Sequence, residues 1–212
     1  MTIALPRLDR STAADRGLTV ADFLVPVRIA ERTPTRVRHL VLIVIGAAIV
    51  ALTAQIYIPT APVPFTGQTF GVLIVGGALG FRRGAAALAL YVLIGAIGIP
   101  VYSEGRAGTE VLLGYTGGYL LGFILAAAIV GRLAELGWDR QIGGAVLMML
   151  IGTTMIYALG VPWLKATTGM SWTDTINAGL TPFLVWDAAK LAVAAALFPT
   201  AWWLIGRRPE DR

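Results

Sequence analysis

Six apolar runs constrain the fold of this chain more than any other feature of its sequence. They cover residues 40–58, 70–81, 85–99, 112–131, 142–161 and 182–205. With 57% hydrophobic and only 14% charged residues, the chain lacks the polar surface of a soluble domain. A perpendicular membrane helix needs about 20 residues, so residues of the adjoining loops must extend the shorter runs. We therefore predict an all-α integral membrane protein, a compact bundle of six transmembrane helices.

Two charged residues lie inside the last apolar run. Asp187 and Lys190 are three residues apart, so a helix projects them from one face. Thr181 is a suitable helix cap and Pro182 suits a first turn, so we predict that the helix starts there. Measured along the helix from that start, Asp187 then lies about 7 Å and Lys190 about 12 Å into the apolar run. Each such charge costs about 2.5–3.5 kcal/mol on insertion scales. The pair is either a structural ion pair between helices or a polar site for a small ligand.

The remaining composition narrows the classes of function. The net charge of +5 comes from arginines at the ends of apolar runs, which indicates membrane topology and not nucleic-acid binding. There is no cysteine, and the single histidine, His39, lies at the edge of the first run, so we predict neither a disulfide nor a metal site. An enzyme needs a nucleophile with a base, or clustered carboxylates and histidines. The only acidic residue deep in the runs is Asp187, so we predict no enzyme.

Counts of lysine and arginine predict the orientation in the membrane. With the N-terminus inside, fourteen lie on the cytoplasmic side and only Arg106 and Lys165 lie outside, so both termini are predicted to be cytoplasmic. The chain then divides into a basic N-terminal arm (1–38), a membrane domain (39–206) and a short tail (207–212). Within the arm, residues 18–29 are either a short amphipathic helix or part of a disordered tail.

This orientation places the start of the last helix at the outer face, beside the loops 59–68, 100–111 and 162–181. The first of these loops has no charge and three prolines, and Thr66 and Gln68 offer neutral hydrogen-bonding groups at its inner end. It either folds inward over a cavity or forms an ordinary tight turn. In the second loop, Arg106 is a charge at the mouth of such a cavity.

A glycine-rich segment, GYTGGYLLGF at residues 114–123, follows the second loop. Gly117 and Gly118 let backbone groups approach a ligand closely, or they serve only helix packing. Tyr115 and Tyr119 share one face if a single helix runs through both. The segment therefore predicts a further wall of the site, with packing as the alternative.

Three stretches of the chain resemble the BioY family, the biotin-specific S-components of energy-coupling-factor (ECF) vitamin transporters. They are PVPFTGQTFGVLIVGGALGFRRGAAALALYVLIGAIGIPVY at 62–102, GYTGGYLLGF at 114–123, and the Asp187…Lys190 pair, in that order. The resemblance extends from about residue 48 to the end of the sixth run. The FTGQT and TGGYLLGF segments together are specific for the family, whereas the charged pair alone is not.

The resemblance implies a biotin pocket that opens outward under the first loop, in the cell membrane of a bacterium or archaeon. It implies that biotin is carried as ligand, that no cofactor is needed, and that uptake is energised by a separate ECF transmembrane coupling protein and its ATPases. The implied binding residues are Asp187, Lys190, Gln68, Arg106, Tyr119, Thr66 and Gly117. The spacing of Ala47 and Ala51 resembles the signature by which S-components dock on the coupling protein.

Two other functions remain open at this stage. The same scaffold could serve another vitamin, or Asp187 and Lys190 could form the relay of a small ion or proton channel. Within the biotin hypothesis, the ligand offers two ureido N–H donors, a carbonyl acceptor and a carboxylate. The sequence leaves open which of these groups meets Asp187 and which meets Lys190.

Overall fold

A computed structural model describes residues 17–24 and 34–205 of the chain. The described residues form nine α-helices and one small hairpin: α1 (Val20–Leu24), α2 (Thr35–Ala54), β1 (Tyr57–Ile58), β2 (Phe65–Thr66), α3 (Gln68–Leu79), α4 (Phe81–Ala96), α5 (Thr109–Leu113), α6 (Gly117–Glu135), α7 (Ile142–Thr168), α8 (Trp172–Gly179) and α9 (Leu184–Ile205). Short 3-10 turns span Ser103–Gly105, Trp138–Arg140 and Thr181–Phe183. The prediction of a predominantly helical protein is confirmed.

Four stretches of the described residues are long and apolar enough to cross a membrane. They are α2, α6, α7 and the continuous stretch Trp172–Ile205, which combines α8, the turn that follows it and α9. Helices α3 and α4 have 12 and 16 residues, fewer than the roughly 20 of a perpendicular span. Large apolar side chains are exposed on the outward faces, as on α2 with Leu40, Val44 and Leu52. Such a surface suits contact with lipid or another membrane helix.

The centre of the bundle is α6, which packs against α3, α4 and α7. At Gly122 an added Cβ would lie 3.0 Å from the Ile156 carbonyl oxygen, so the backbones of α6 and α7 approach at a distance that favours glycine. Two clusters of buried side chains surround this centre. One cluster, at the end that carries the hairpin, includes Tyr91, Tyr102 and Phe123, and the other, at the opposite end, includes Met148, Met149 and Trp202.

Residues 17–24 of the N-terminal arm pack against the end of the bundle opposite the hairpin. Thr19 is fully buried there, and the ring of Phe23 lies edge-on to Trp202 with 5.5 Å between centroids. Arg83 donates to both carboxylate oxygens of Asp22, at 2.7 and 2.9 Å, and to the Thr19 hydroxyl at 3.0 Å. Burial raises the pKa of Asp22, but hydrogen bonds from Arg83 and Thr19 outweigh it and hold that pKa below its usual value. The segment is therefore part of the folded unit.

The N-terminal boundaries differ from those expected. Of the predicted amphipathic segment 18–29, α1 covers Val20–Leu24, and residues 25–29 lie outside the described residues. Helix α2 begins at Thr35, inside the predicted arm, and ends at Ala54. The first run was predicted to continue to residue 58, but the chain leaves the helix to form β1, which pairs with β2.

Helix α7 extends beyond the predicted run 142–161. The predicted end before Pro162 is wrong, because the helix continues through this proline to Thr168. Proline removes only one helical hydrogen bond, so the packing of the residues that follow can carry the helix through it. Leu164, two residues after the proline, is fully buried. Gly169 caps this end of the helix: its left-handed backbone (φ 70°) suits glycine, and its N–H donates to the Lys165 carbonyl. The predicted loop 162–181 is therefore mostly helical.

The predicted cap of the last helix at Thr181 is also wrong. The Thr181 hydroxyl donates to the Ile176 carbonyl at 3.3 Å and does not cap the helix. Residues Thr181–Phe183 form a 3-10 turn, and α9 begins at Leu184. Asp187 consequently lies in the first turn of α9. Lys190 follows about one turn later, so both charges are at the hairpin end of the bundle.

Candidate ligand-binding site

A cavity lies at the hairpin end of the bundle, between α3, α6, α7 and α9. Its walls are mainly apolar and include Val111, Leu120, Phe123, Ile156 and Phe183. Its polar side chains are those of Thr66, Gln68, Thr69, Tyr102, Ser103, Thr116, Tyr119, Tyr157, Asp187 and Lys190. A largely apolar cavity with a few converging polar groups is the usual form of a small-molecule site.

Most of the predicted binding residues meet in this cavity, although they come from β2, α3, α6 and α9. Those that line it are Asp187, Lys190, Gln68, Tyr119 and Thr66. Arg106 and Gly117, which were also predicted, do not line it. Most of the predicted set is thus brought together by the fold.

Asp187 and Lys190 form an ion pair, with 3.0 Å between Lys190 Nζ and Asp187 Oδ1. The Asp187 side chain is 8% exposed, and the Lys190 side chain is 23% exposed. Lys190 also donates to the Thr66 carbonyl at 2.7 Å and to the Thr69 hydroxyl at 3.1 Å. The Asp187 carboxylate accepts from the Thr69 hydroxyl at 3.2 Å and from the Tyr157 hydroxyl. The charges neutralise each other, and added hydrogen bonds offset the cost of burying them.

Gln68 holds the start of α3 against α4. Its side-chain amide nitrogen lies 2.6 Å from the Tyr91 hydroxyl, and its amide oxygen accepts from the Thr66 hydroxyl at 3.0 Å. Both Gln68 and Tyr91 are buried. Gln68 therefore presents to the cavity a side chain whose orientation is already fixed by two neighbours.

Tyr119 joins α6 to the end of α8. Its hydroxyl donates to the Gly179 carbonyl at 2.8 Å, and its ring lies perpendicular to that of Tyr157, with 6.2 Å between centroids. A Cβ at Gly179 would approach the Tyr119 hydroxyl to 2.5 Å, so a larger residue there would displace this hydroxyl. Because α6 begins at Gly117, Tyr115 lies outside the helix, so the condition for a shared face of Tyr115 and Tyr119 is not met.

The loop 59–68 covers part of the cavity. Val63, Pro64 and Thr66 line the cavity from this loop, so the loop folds inward, one of the two alternatives left open by the sequence. On β2, the ring of Phe65 packs on Phe183 with 4.4 Å between centroids. This contact joins the loop to the turn before α9.

Arg106 borders the cavity without lining it. Its guanidinium donates to the Tyr115 hydroxyl at 3.1 Å and pairs with Glu104 at 3.3 Å. Ser103, three residues earlier, does line the cavity. Arg106 is therefore a cation at the mouth, 29% exposed, and not part of the polar cluster around Asp187.

Gly117 and its neighbour Gly118 serve helix packing. A Cβ at Gly117 would lie 1.8 Å from the Leu112 carbonyl oxygen, and one at Gly118 would lie 2.2 Å from the Trp163 Cβ. Neither glycine lines the cavity. Of the two alternatives for this glycine pair, the geometry supports packing.

The predicted docking residues on α2 differ in their exposure. Ala47 is only 4% exposed and belongs to the core, whereas Ala51 is half-buried. Ala48, the next residue after Ala47, is exposed. The structure therefore leaves Ala47 inaccessible to a partner and places small accessible residues beside it.

Among the polar residues that line the cavity, several were not predicted from the sequence: Thr69, Tyr102, Ser103, Thr116 and Tyr157. Two of these, Tyr157 and Thr69, belong to the charged cluster. Both contact Asp187. A hydroxyl in an apolar run carries no large insertion penalty, so neither residue stands out as the charges do. Only their positions relative to Asp187, set by the packing of α3 and α7 against α9, identify them.

A family model described as BioY family matches residues 27–207. The chain belongs to the BioY family. The resemblance carried by the FTGQT and TGGYLLGF segments is thereby confirmed.

Similar BioY proteins align over most of the chain. The biotin transporter BioY of Thermotoga maritima is 42% identical over 164 residues, 76% of this chain and 93% of that protein. The biotin transporter BioY2 of Lactococcus lactis subsp. cremoris is 35% identical over 170 residues, 79% of this chain and 91% of that protein. Among solved structures, the S-component for biotin from an ECF-type ABC transporter aligns with a TM-score of 0.70 at 22% identity, over 79% of this chain and 92% of that chain. At that identity the structural likeness shows the fold.

Proposed function

We propose that this BioY protein is a membrane subunit that binds biotin with high affinity for uptake, an S-component without ATPase or enzymatic activity of its own. The observation that carries the proposal is the apolar cavity that ends in the neutralised Asp187–Lys190 pair. Biotin joins a polar ureido ring to an apolar thioether ring and stem. This matches a cavity with apolar walls and a polar cluster at one end. Relatives at 42% and 35% identity are named biotin transporters.

The hydrogen bonds around the pair favour one placement of the ligand. All three donors of the Lys190 ammonium already have acceptors, so Lys190 has none left for a ligand carboxylate. Asp187 is an acceptor and suits the ureido N–H groups. The carboxylate of biotin then points towards the mouth, where Arg106 supplies the charge.

Binding to purified full-length protein tests the proposed function. We expect isothermal titration with a panel of vitamins to give tight binding of biotin and none of thiamine or riboflavin. Binding of another vitamin instead would make the chain an S-component of different specificity. An ionic current across planar bilayers that biotin does not affect would instead favour the alternative function, a small ion or proton channel.

We infer that all six apolar runs cross the membrane, with both termini in the cytoplasm. The excess of arginine on one side supports this orientation, and loop residues lengthen the short helices α3 and α4. The chain has no cysteine of its own, so single cysteines report position directly. Cysteines at the exposed Arg82 and Gln141 should resist impermeant thiol reagents in intact cells, whereas one at the exposed Thr173 should react. The reverse labelling pattern would contradict the inferred orientation.

A separate ECF module, a transmembrane coupling protein with ATPases, is the proposed source of energy. The solved S-component that shares this fold comes from such a transporter. Small residues on α2 remain the proposed docking surface, with Ala51 and Ala48 as its accessible members.

Paired substitutions on α2 test this docking surface. Ala48→Leu should leave biotin binding and stability unchanged and reduce uptake by cells, because Ala48 is exposed. Ala47→Leu should instead lower stability by about 1–3 kcal/mol, because the added carbons enter the core. Thermal unfolding, titration and uptake of labelled biotin separate these effects. Normal uptake by the Ala48→Leu protein would exclude this face as the docking surface.

A further inference from the structure

The Asp187 carboxylate has one hydrogen-bonding position left for a ligand. Its Oδ1 accepts from Lys190 at 3.0 Å and from Thr69 at 3.2 Å, and its Oδ2 accepts from Tyr157. A carboxylate has about four acceptor positions, so one on Oδ2 is open among the contacts of the described residues. Because Asp187 lines the cavity, a ligand N–H group can use this position.

Tyr157 holds this carboxylate from a different direction than the other partners. Lys190 is on the same helix as Asp187, and Thr69 is on α3, and both contact Oδ1. Tyr157 is on α7 and contacts Oδ2. The last torsion of an aspartate side chain is broad and two-fold, so contacts to one oxygen leave the other free to move. Fixing both oxygens fixes the direction of the open acceptor position.

We propose that Tyr157 is a positioning and specificity-determining residue: through Asp187 it aims the open acceptor position at a ligand N–H, so that the site selects a cyclic urea with a free N–H. This inference rests on the proposed biotin function and deepens it. It assigns Tyr157 no contact with the ligand. The selection follows because a ligand without that N–H leaves a buried acceptor unpaired.

Tyr157→Phe removes only the hydroxyl that contacts Asp187. We expect the purified full-length variant to bind biotin about ten- to a hundredfold more weakly in calorimetry, the usual effect of losing a hydrogen bond to a charged group. We also expect it to discriminate less between biotin and biotin methylated on a ureido nitrogen. The matched control is Tyr102→Phe, which removes another buried tyrosine hydroxyl, one that donates to the Val92 carbonyl at 2.7 Å and not to Asp187. The control should keep the wild-type ratio of the two affinities.

Two further variants distinguish positioning from simple packing. In an Asp187→Asn background, Tyr157→Phe should have a much smaller effect, because the partner through which it acts has changed. Asp187→Glu moves the carboxylate relative to Tyr157 without changing α7, and it should also reduce discrimination against the methylated ligand. Thermal unfolding of each variant shows whether the fold is kept.

The outcomes separate this inference from the proposed function. Wild-type affinity and wild-type discrimination in Tyr157→Phe would overturn the positioning role alone. A lower melting temperature of Tyr157→Phe with unchanged discrimination would also overturn it. So would losses of biotin affinity that are additive when Tyr157→Phe is combined with Asp187→Asn. Wild-type protein that binds no biotin would overturn the proposed function and this inference with it.

Discussion

Lys190→Met is expected to weaken biotin binding by about a hundredfold or more and to destabilise the protein by about 3 kcal/mol. The substitution leaves the Asp187 carboxylate, 8% exposed, without its counter-ion, and it also removes the bond to the Thr66 carbonyl. An unpaired buried charge is costly, and the end of the first loop loses its attachment to α9. Calorimetry and thermal unfolding of the purified protein measure both effects.

A double substitution separates the structural effect from the functional one. Replacing a buried ion pair by apolar residues is often neutral or stabilising, so Lys190→Met with Asp187→Leu should recover stability. It should not recover binding, because the acceptor at the end of the cavity is gone. Asp187→Asn keeps one acceptor oxygen and should bind better than Asp187→Leu. Near wild-type binding in the double variant would remove the pair from the ligand site.

A lysine outside the cavity provides the matched control. Lys165 donates to the Met170 carbonyl at 2.9 Å and lies 5.1 Å from the Trp172 ring centroid. Lys165→Met removes the same charge from the same end of the protein, and biotin affinity should change little. A comparable loss of affinity in this control would indicate a general effect of surface charge on binding.

The methyl ester of biotin tests which cation faces the ligand carboxylate. Since the Lys190 donors are already used, Lys190→Met should weaken biotin and its ester about equally. Arg106→Met should weaken biotin more than the ester, because it removes the cation at the mouth. The opposite pattern would place the carboxylate of biotin at Lys190.

The charges of the site could be predicted from the sequence, whereas their partners could not. Asp187 and Lys190 interrupt an apolar run, and a cost of about 2.5–3.5 kcal/mol per charge makes them conspicuous. Tyr157 precedes Asp187 by thirty residues, and its hydroxyl is one of several in the apolar runs. Its role depends on how α7 packs against α9, which no local pattern reports.

The predicted helix boundaries were wrong where a local signal competed with the packing of neighbouring residues. Pro162 and Thr181 are good local markers of a helix end and a helix start. Helix α7 instead continues to Thr168, and α9 begins only at Leu184. Gly169, followed by no further helical run until Trp172, is the signal that marked the true end of α7. For the first loop, the sequence left an inward fold and an ordinary tight turn as alternatives, and the inward fold is the one observed.

Gly118→Ala is expected to destabilise the protein by about 3 kcal/mol, although it adds a single methyl group. The new Cβ would lie 2.2 Å from the Trp163 Cβ and 2.6 Å from the Leu159 carbonyl oxygen. Neither atom is at the end of a flexible side chain, so α7 must shift away from α6. The Trp163 indole N–H, which donates to the Gly114 carbonyl at 2.8 Å, would move with it.

The same shift should weaken biotin binding, because Tyr119 follows Gly118 on α6 and Tyr157 is on α7. Gly143→Ala is the matched control: Gly143 lies in the first turn of α7, and an added Cβ there meets no atom within 4 Å. Because alanine favours a helix by up to about 1 kcal/mol over glycine, the control should keep or raise stability. Thermal unfolding and calorimetry of both variants measure the difference. Equal melting temperatures for the two would show that α6 and α7 separate easily, and the close approach at Gly118 would then have no part in holding the cavity walls together.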